Sequence, residues 1–160
     1  MTAAPGLNGG RVDSAVSSVR LAYADDLSAG IAGEYLVCAD LLAHGFAAFR
    51  AEQNCAYDVG VDLGDRLIRL QVKSTRTART FPQLKQRHVT GYVWGIRQGK
   101  HGVRAYAVGA VDGFALVALD TFRVAYLRPE QARQTFQIPT EGARSSTVKR
   151  FEDYPFAALI

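Results

Sequence analysis

Tyr57-Asp58-Val59-Gly60-Val61-Asp62-Leu63-Gly64-Asp65-Arg66-Leu67-Ile68-Arg69-Leu70-Gln71-Val72-Lys73-Ser74 is the stretch from which the rest of the chain can be read. In its first half Val59, Val61 and Leu63 alternate with Asp58, Gly60 and Asp62; in its second, Ile68, Leu70 and Val72 alternate with Arg69, Gln71 and Lys73. A side-chain period of two belongs to a β-strand with one face buried. Gly64-Asp65 supplies the turn between two such runs, so residues 57–63 and 66–74 are expected to form a hairpin. Its apolar residues line one face. Asp58, Gln71 and Lys73 share the other, near the edge of the sheet.

Upstream, a helix is expected from about Ser28 to His44, capped by Asp26 or Ser28 and ended by Gly45. Ile31, Tyr35, Cys38, Leu41 and Leu42 recur at three- and four-residue steps as an apolar stripe, with Glu34 inside it. A carboxylate buried there needs a cation or a hydrogen-bond donor. Phe46 to Arg50 reads as a short strand. Downstream, Ser74 to Thr90 is polar, basic and interrupted by proline, which predicts a loop or lid. Gly91 to Ile96 reads as a strand whose Tyr92 and Trp94 either stack on bases or join the core. Gly113 to Leu119 and Arg123 to Leu127 read as a hairpin through Asp120-Thr121. Pro129 to Phe136 reads as a helix, and Phe151, Tyr154 and Phe156 as side chains that pack back onto the core. Residues 1–24 have little periodicity and are expected to be a mobile arm. Their Gly6-Leu7-Asn8-Gly9-Gly10 lacks the ending of a phosphate-binding loop.

A chain of 160 residues, 48% hydrophobic and 21% charged, can bury one core and has the composition of a folded domain. No apolar run approaches the roughly 18 residues of a membrane span, and the start lacks the pattern of a secretory signal. Cys38 and Cys55 have no paired spacing, so reduced thiols and a cytoplasmic setting are expected, with Cys38 as a small core residue. Charge is unevenly distributed. Met1 to Asp65 holds nine acids and three arginines, whereas Arg66 to Arg104 holds ten basic residues and no acid. A basic block beside an acidic one fits a groove for a polyanion next to a cation site. The bland alternative is a solvated basic face.

The chemistry follows from residue type. Asp58 and Glu34 are hard oxygen ligands suited to Mg²⁺, and Gln71 can add a carbonyl or orient a water. Lys73, two residues on along the same strand face, can position the attacking water and offset charge on a phosphate. These parts suit hydrolysis of a phosphodiester. His44, His88 and His101 are scattered without ligand spacing. His44 suits the helix C-terminus, and Asp62 suits a surface turn.

Gly33-Glu34, Tyr57-Asp58 and Gln71-Val72-Lys73, taken together, resemble the PD-(D/E)XK nuclease superfamily. The likeness is nearest to the group I intron-associated endonuclease branch, in which Gln replaces the second acid. The runs Val111-Asp112-Gly113-Phe114-Ala115-Leu116-Val117 and Val124-Ala125-Tyr126-Leu127 are similar to the sheet that follows the active-site hairpin there, so the resemblance extends over roughly Ile31 to Gln131. It implies an α/β fold with a restriction-endonuclease-like core: a central mixed β-sheet flanked by helices, in one nuclease-like domain over residues 25–160. It also implies a metal-dependent endodeoxyribonuclease with Glu34, Asp58, Gln71 and Lys73 as catalytic residues. Asp58, Glu34 and Gln71 would be the ligands of Mg²⁺, with Mn²⁺ as a substitute. DNA is the expected partner, contacted by Arg69, Ser74, Arg76, Arg79, Lys85 and Arg87. Two departures stand out: Tyr57 occupies the place of Pro, and Gln71 removes a negative charge from the metal site. An inactive DNA-binding protein with the same fold is therefore the alternative, and a module that binds an acidic protein is a third. Cutting both strands calls for two active sites, which leaves a homodimer or higher oligomer open.

Overall fold

The computed structural model describes residues 25–83, 87–98, 104–141 and 148–160; the arm expected over 1–24, Lys85 and His101 lie outside them. In chain order the elements are α1 (Asp26–Ala43), β1 (Ala47–Arg50), β2 (Val59–Asp62), β3 (Leu67–Thr75), β4 (Arg79–Gln83), β5 (Arg87–Gly95), β6 (Gly113–Ala118), β7 (Arg123–Leu127) and β8 (Thr135–Glu141). Two short 3₁₀ turns, Phe151–Asp153 and Phe156–Ala158, close the chain. The central sheet runs β1-β2-β3-β6-β7, and a second sheet runs β4-β5-β8. In the central sheet β3 and β6 are parallel and the other pairings antiparallel. The sheet is therefore mixed, as expected. The β2–β3 hairpin pairs Val59 with Leu70 and Val61 with Ile68, so the alternation read from the sequence holds.

One face of the central sheet carries α1. Asp25, rather than Asp26 or Ser28, caps it: its Oδ1 accepts from the Ser28 N–H at 2.7 Å, and this bond holds its carboxyl below the usual range. Gly45, at φ +85°, adopts the left-handed conformation that ends the helix. The apolar stripe is rotated from the one expected. Ala29, Gly33, Val37, Cys38 and Leu41 are buried, while Tyr35 and Leu42 are exposed. Small residues win because they let the helix approach closely. A Cβ on Gly33 would collide with the Ser74 Oγ, so glycine lets the helix sit this close to β3 without turning that hydroxyl. Val37 and Leu41 meet Val59, Val61, Ile68, Leu70 and Val72 in one cluster. Full burial of each such side chain contributes about 1.5–3 kcal/mol.

The second sheet lies against the other face. Tyr92, Trp94, Ile96, Phe136 and Ile138 cluster with Phe114, Leu116, Ala118 and Leu127 of the central sheet and with Phe151. The Trp94 indole N–H, buried with its ring, donates to the Val117 carbonyl at 3.0 Å. Two expectations fail here. The stretch from Ser74 to Thr90 is not a loop or lid, since β4 and the start of β5 pair across it. Pro82 is tolerated because β4 is an edge strand, where a missing N–H breaks no ladder. Residues 129–136 do not form a helix; they turn into β8, another edge strand, which carries Pro139. Among the described residues α1 is the one α-helix, and sheet rather than helix covers the opposite face. No described helix is long and apolar enough to cross a membrane. Phe151 and Phe156 pack inward as expected, and the Tyr126 N–H donates to the Tyr154 carbonyl at 2.9 Å.

Candidate active site

Asp58 sits one residue before β2, where the end of β1 and the start of β2 meet the middle of β3. Its backbone N–H donates to the Leu70 carbonyl and its carbonyl accepts from the Ala51 N–H, both at 2.9 Å. Its side chain then serves a backbone group that the ladder leaves over. Asp58 Oδ2 accepts from the Val72 N–H at 2.8 Å and also from the Gln71 side-chain amide. Burial pushes the Asp58 carboxyl up, with a smaller upward contribution from the Glu34 charge. The Val72 N–H, Lys73 and Arg50 oppose that rise. Asp58 and Gln71 are thus in direct contact, on the polar face that the alternation assigned to them.

Lys73 follows two residues later and points into the space between the sheets. Its Nζ donates to the Arg97 carbonyl at 3.4 Å and lies 5.3 Å from the centre of the Tyr106 ring. Burial lowers its pKa, and the charge of Asp58 pulls it back up. The Tyr106 phenol is pushed up to about 12, by burial first and by Asp58 second. Its ring meets Phe114 edge-on at 5.0 Å. Sequence reasoning missed Tyr106 and Arg97. Both come from a segment without periodicity, and Arg97 acts through its backbone, which no residue type betrays.

Glu34 reaches the site from the helix side. The close approach at Gly33 sets α1 against the end of β3, and the next residue is then near enough for its charge to act on Asp58. Glu34 has a partner of its own. Arg50 Nε donates to its Oε2 at 2.7 Å, while the same guanidinium lies 4.8 Å from the Tyr35 ring centre and donates to the Tyr35 hydroxyl at 3.3 Å. Arg50 is the third residue that the sequence reading did not bring to the site. Its signal was that Glu34, placed on an apolar stripe, needed a cation.

No family model matches the chain, and no curated protein sequence does. Among solved structures the chain is similar to a bacterial homing endonuclease, I-Ssp6803I, with a TM-score of 0.56 at 14% identity, over 84% of this chain and 88% of that one. The fold is nuclease-like.

Within this nuclease-like fold, the donors at the site suit a hard divalent cation. Asp58 and Glu34 offer carboxylates, Gln71 an amide, and Mg²⁺ commonly takes one or two carboxylates with water and phosphate completing its shell. The Glu34 charge acts on the half-buried Asp58 carboxyl through space, with Arg50 offsetting part of it, and a divalent ion would relieve the repulsion that remains. Among the described residues no group of three or more His, Cys, Asp or Glu side chains gathers anywhere, so Gln71 stands where a third acid would be needed for a richer site.

The expected DNA contacts divide. Arg69 is committed to a structural pair: its Nε and Nη2 donate to Asp112 at 3.0 and 3.1 Å, and Nη2 also to the Gly109 carbonyl at 2.9 Å. Ser74 faces α1, with its hydroxyl buried and unpartnered among the described residues, and so lies on the face opposite Gln71 and Lys73. Arg76 pairs with Asp26 at 3.0 Å on the surface. Arg79 is exposed on edge strand β4, and Arg87 lies opposite Gln83 in β5.

Proposed function

We propose that the protein is a divalent-metal-dependent DNA endonuclease of the PD-(D/E)XK kind. The observation that carries this reading is the convergence of the Asp58 carboxylate, the Gln71 amide and the Lys73 ammonium on one face of the β2–β3 hairpin, within a nuclease-like fold. Asp58, Glu34 and Gln71 would hold Mg²⁺, or Mn²⁺ in its place. When bound, the ion supplies Lewis-acid polarisation of the phosphate and acidifies a water. The other parts belong to the chain. Gln71 fixes the Asp58 carboxylate by donating to it, and the Val72 N–H fixes it a second time. Lys73 is held by the Arg97 carbonyl and the Tyr106 ring, so its charge is in place before negative charge develops on the phosphate. The basic block from Arg66 to Arg104 would track the DNA backbone, giving affinity without sequence information. Cutting both strands calls for a second copy of the site, supplied by a homodimer or higher oligomer.

The alternative is DNA binding without cleavage, and two observations favour it. Gln71 removes one negative charge, and Arg50 already neutralises Glu34. The test is incubation with supercoiled plasmid, linear duplex and a four-way junction in Mg²⁺, Mn²⁺ or EDTA, beside Asp58→Ala and Lys73→Ala. Metal-dependent nicking that both substitutions abolish while DNA binding persists is the expected result. Retained binding with no cut in either metal would move the assignment to the binding-only reading.

A further inference from the structure

A cavity of about 470 Å³ opens beside the candidate active site. Its floor is apolar, made of Ile96, Val111 and Phe114, and its charged lining is Arg97 and Arg133 with one acid, Glu130. Tyr106 is the wall it shares with the site: the ring that lines the cavity is the one that lies 5.3 Å from Lys73 Nζ. Arg97 joins the two in the same way, lining the cavity while its carbonyl accepts from Lys73. Beside the mouth, a tight turn closed by the Ala110 N–H to the Ala107 carbonyl at 3.1 Å leaves Val108 fully exposed. An aliphatic side chain held in water at a loop tip, next to an aromatic-walled cavity where two arginines outweigh Glu130, has a common chemical complement. That complement is a flat, apolar-faced ring on an anionic tether.

We propose that this cavity binds a single nucleobase, unstacked from the nucleotide next to the phosphate at the active site, with Val108 as the wedge that enters the stack it leaves. The proposal rests on the DNA-endonuclease reading for its biological sense, though not for its chemistry. Tyr106 and Phe114 offer aromatic surface for the base, and Arg97 and Arg133 offer charge to its phosphate. The volume lies in the range of small-ligand pockets, about 300–1,000 Å³. Extrusion of a base is harder from a matched pair than at a mismatch, so the cavity would favour a mismatched or unpaired base.

The test needs no cleavage and no metal. The full chain, ¹⁵N-labelled and in EDTA, is titrated with deoxyadenosine 5′-monophosphate and, separately, with 2-deoxyribose 5-phosphate, following amide shifts. Ala107→Trp is the blocking variant: residue 107 lines the cavity yet is exposed, and the spectrum itself reports whether the fold persists. The expected result is saturable shifts at Tyr106, Val108 and Ala132 with the nucleotide, at least about tenfold weaker with the base-free sugar phosphate and in Ala107→Trp. Equal shifts from the sugar phosphate, shifts located elsewhere, or none at all would overturn the proposal. In the second arm, a duplex with one mismatch is expected to bind more tightly than its matched parent, with Ala107→Trp removing the preference and sparing duplex binding. Equal affinities would dismiss base extrusion. Failure to cut plasmid leaves both arms readable, so the cavity and the nuclease reading can fail independently.

Discussion

The two faces of β3 are built on opposite terms. Toward α1 it presents Ile68, Leu70 and Val72, all buried among apolar neighbours. Toward the second sheet it presents Arg69, Gln71 and Lys73, each with a different partner: Asp112, Asp58 and the Arg97 carbonyl. Removing apolar area from water stabilises without regard to direction, whereas a half-buried polar group recovers its desolvation cost only through a partner in the right place. One face therefore holds the fold, and the other holds a polar cluster against a standing cost. The same strand does both because its period of two keeps them apart.

The largest break in this comparison should come from the apolar face. Leu70 is fully buried, and Leu70→Ala is expected to lower stability by about 2–5 kcal/mol in urea unfolding. Lys73→Met should do the reverse. It is expected to reduce plasmid nicking by about 10²-fold or more while leaving the thermal midpoint unchanged or raised, since it removes a desolvated ammonium and keeps the alkyl stem. A midpoint drop as large as that of Leu70→Ala would make Lys73 a structural residue.

A subtler difference lies in pH. The Arg69 guanidinium holds the Asp112 carboxyl below the usual range, and the Arg69 backbone N–H helps. A depressed carboxyl adds stability that is complete above its unfolded pKa of about 3.9 and is lost as pH falls through the folded value. Asp112→Asn should therefore flatten the acid limb of stability against pH, with an effect below about 1 kcal/mol because solvent screens a pair about a third exposed. An unchanged acid limb would show that the pair contributes nothing. The smallest effect is expected at Ser74, whose hydroxyl is buried without a partner among the described residues. Ser74→Ala should stabilise by less than about 1 kcal/mol in thermal unfolding. A clear loss would mean that the hydroxyl has a partner after all.

The hairpin and its polar face were legible because alternation is a local signal, complete within eighteen residues. So was the pairing of β6 with β7. The helix was legible but its facing was not: hydrophobic size picks out Tyr35 and Leu42, whereas the contact with β3 is made by Ala29 and Gly33, small residues that a hydropathy reading passes over. Pro82 and Pro129 misled for different reasons. Proline excludes central strands but not edges, and an edge is fixed only by distant partners; at Pro129 the φ that suits a helix start suits a turn equally. At the site, Asp58 and Gln71 meet across a turn and could be anticipated. The hold on Lys73 could not, because Arg97 and Tyr106 reach it only after the second sheet has folded over.

Trp94 gives that closure a voice of its own. It is the chain's single tryptophan, 2% exposed, wedged between the two layers with its indole N–H on Val117 and its ring 6.0 Å from Phe151. Tryptophan emission, excited to the red of the tyrosine band, therefore reports on one place alone, the seam between the two sheets. A blue emission maximum means the layers are shut. A red shift that precedes the loss of helical circular dichroism would mean that they part before the rest unfolds, and any ligand, ion or oligonucleotide that tightens the seam can be followed by that colour.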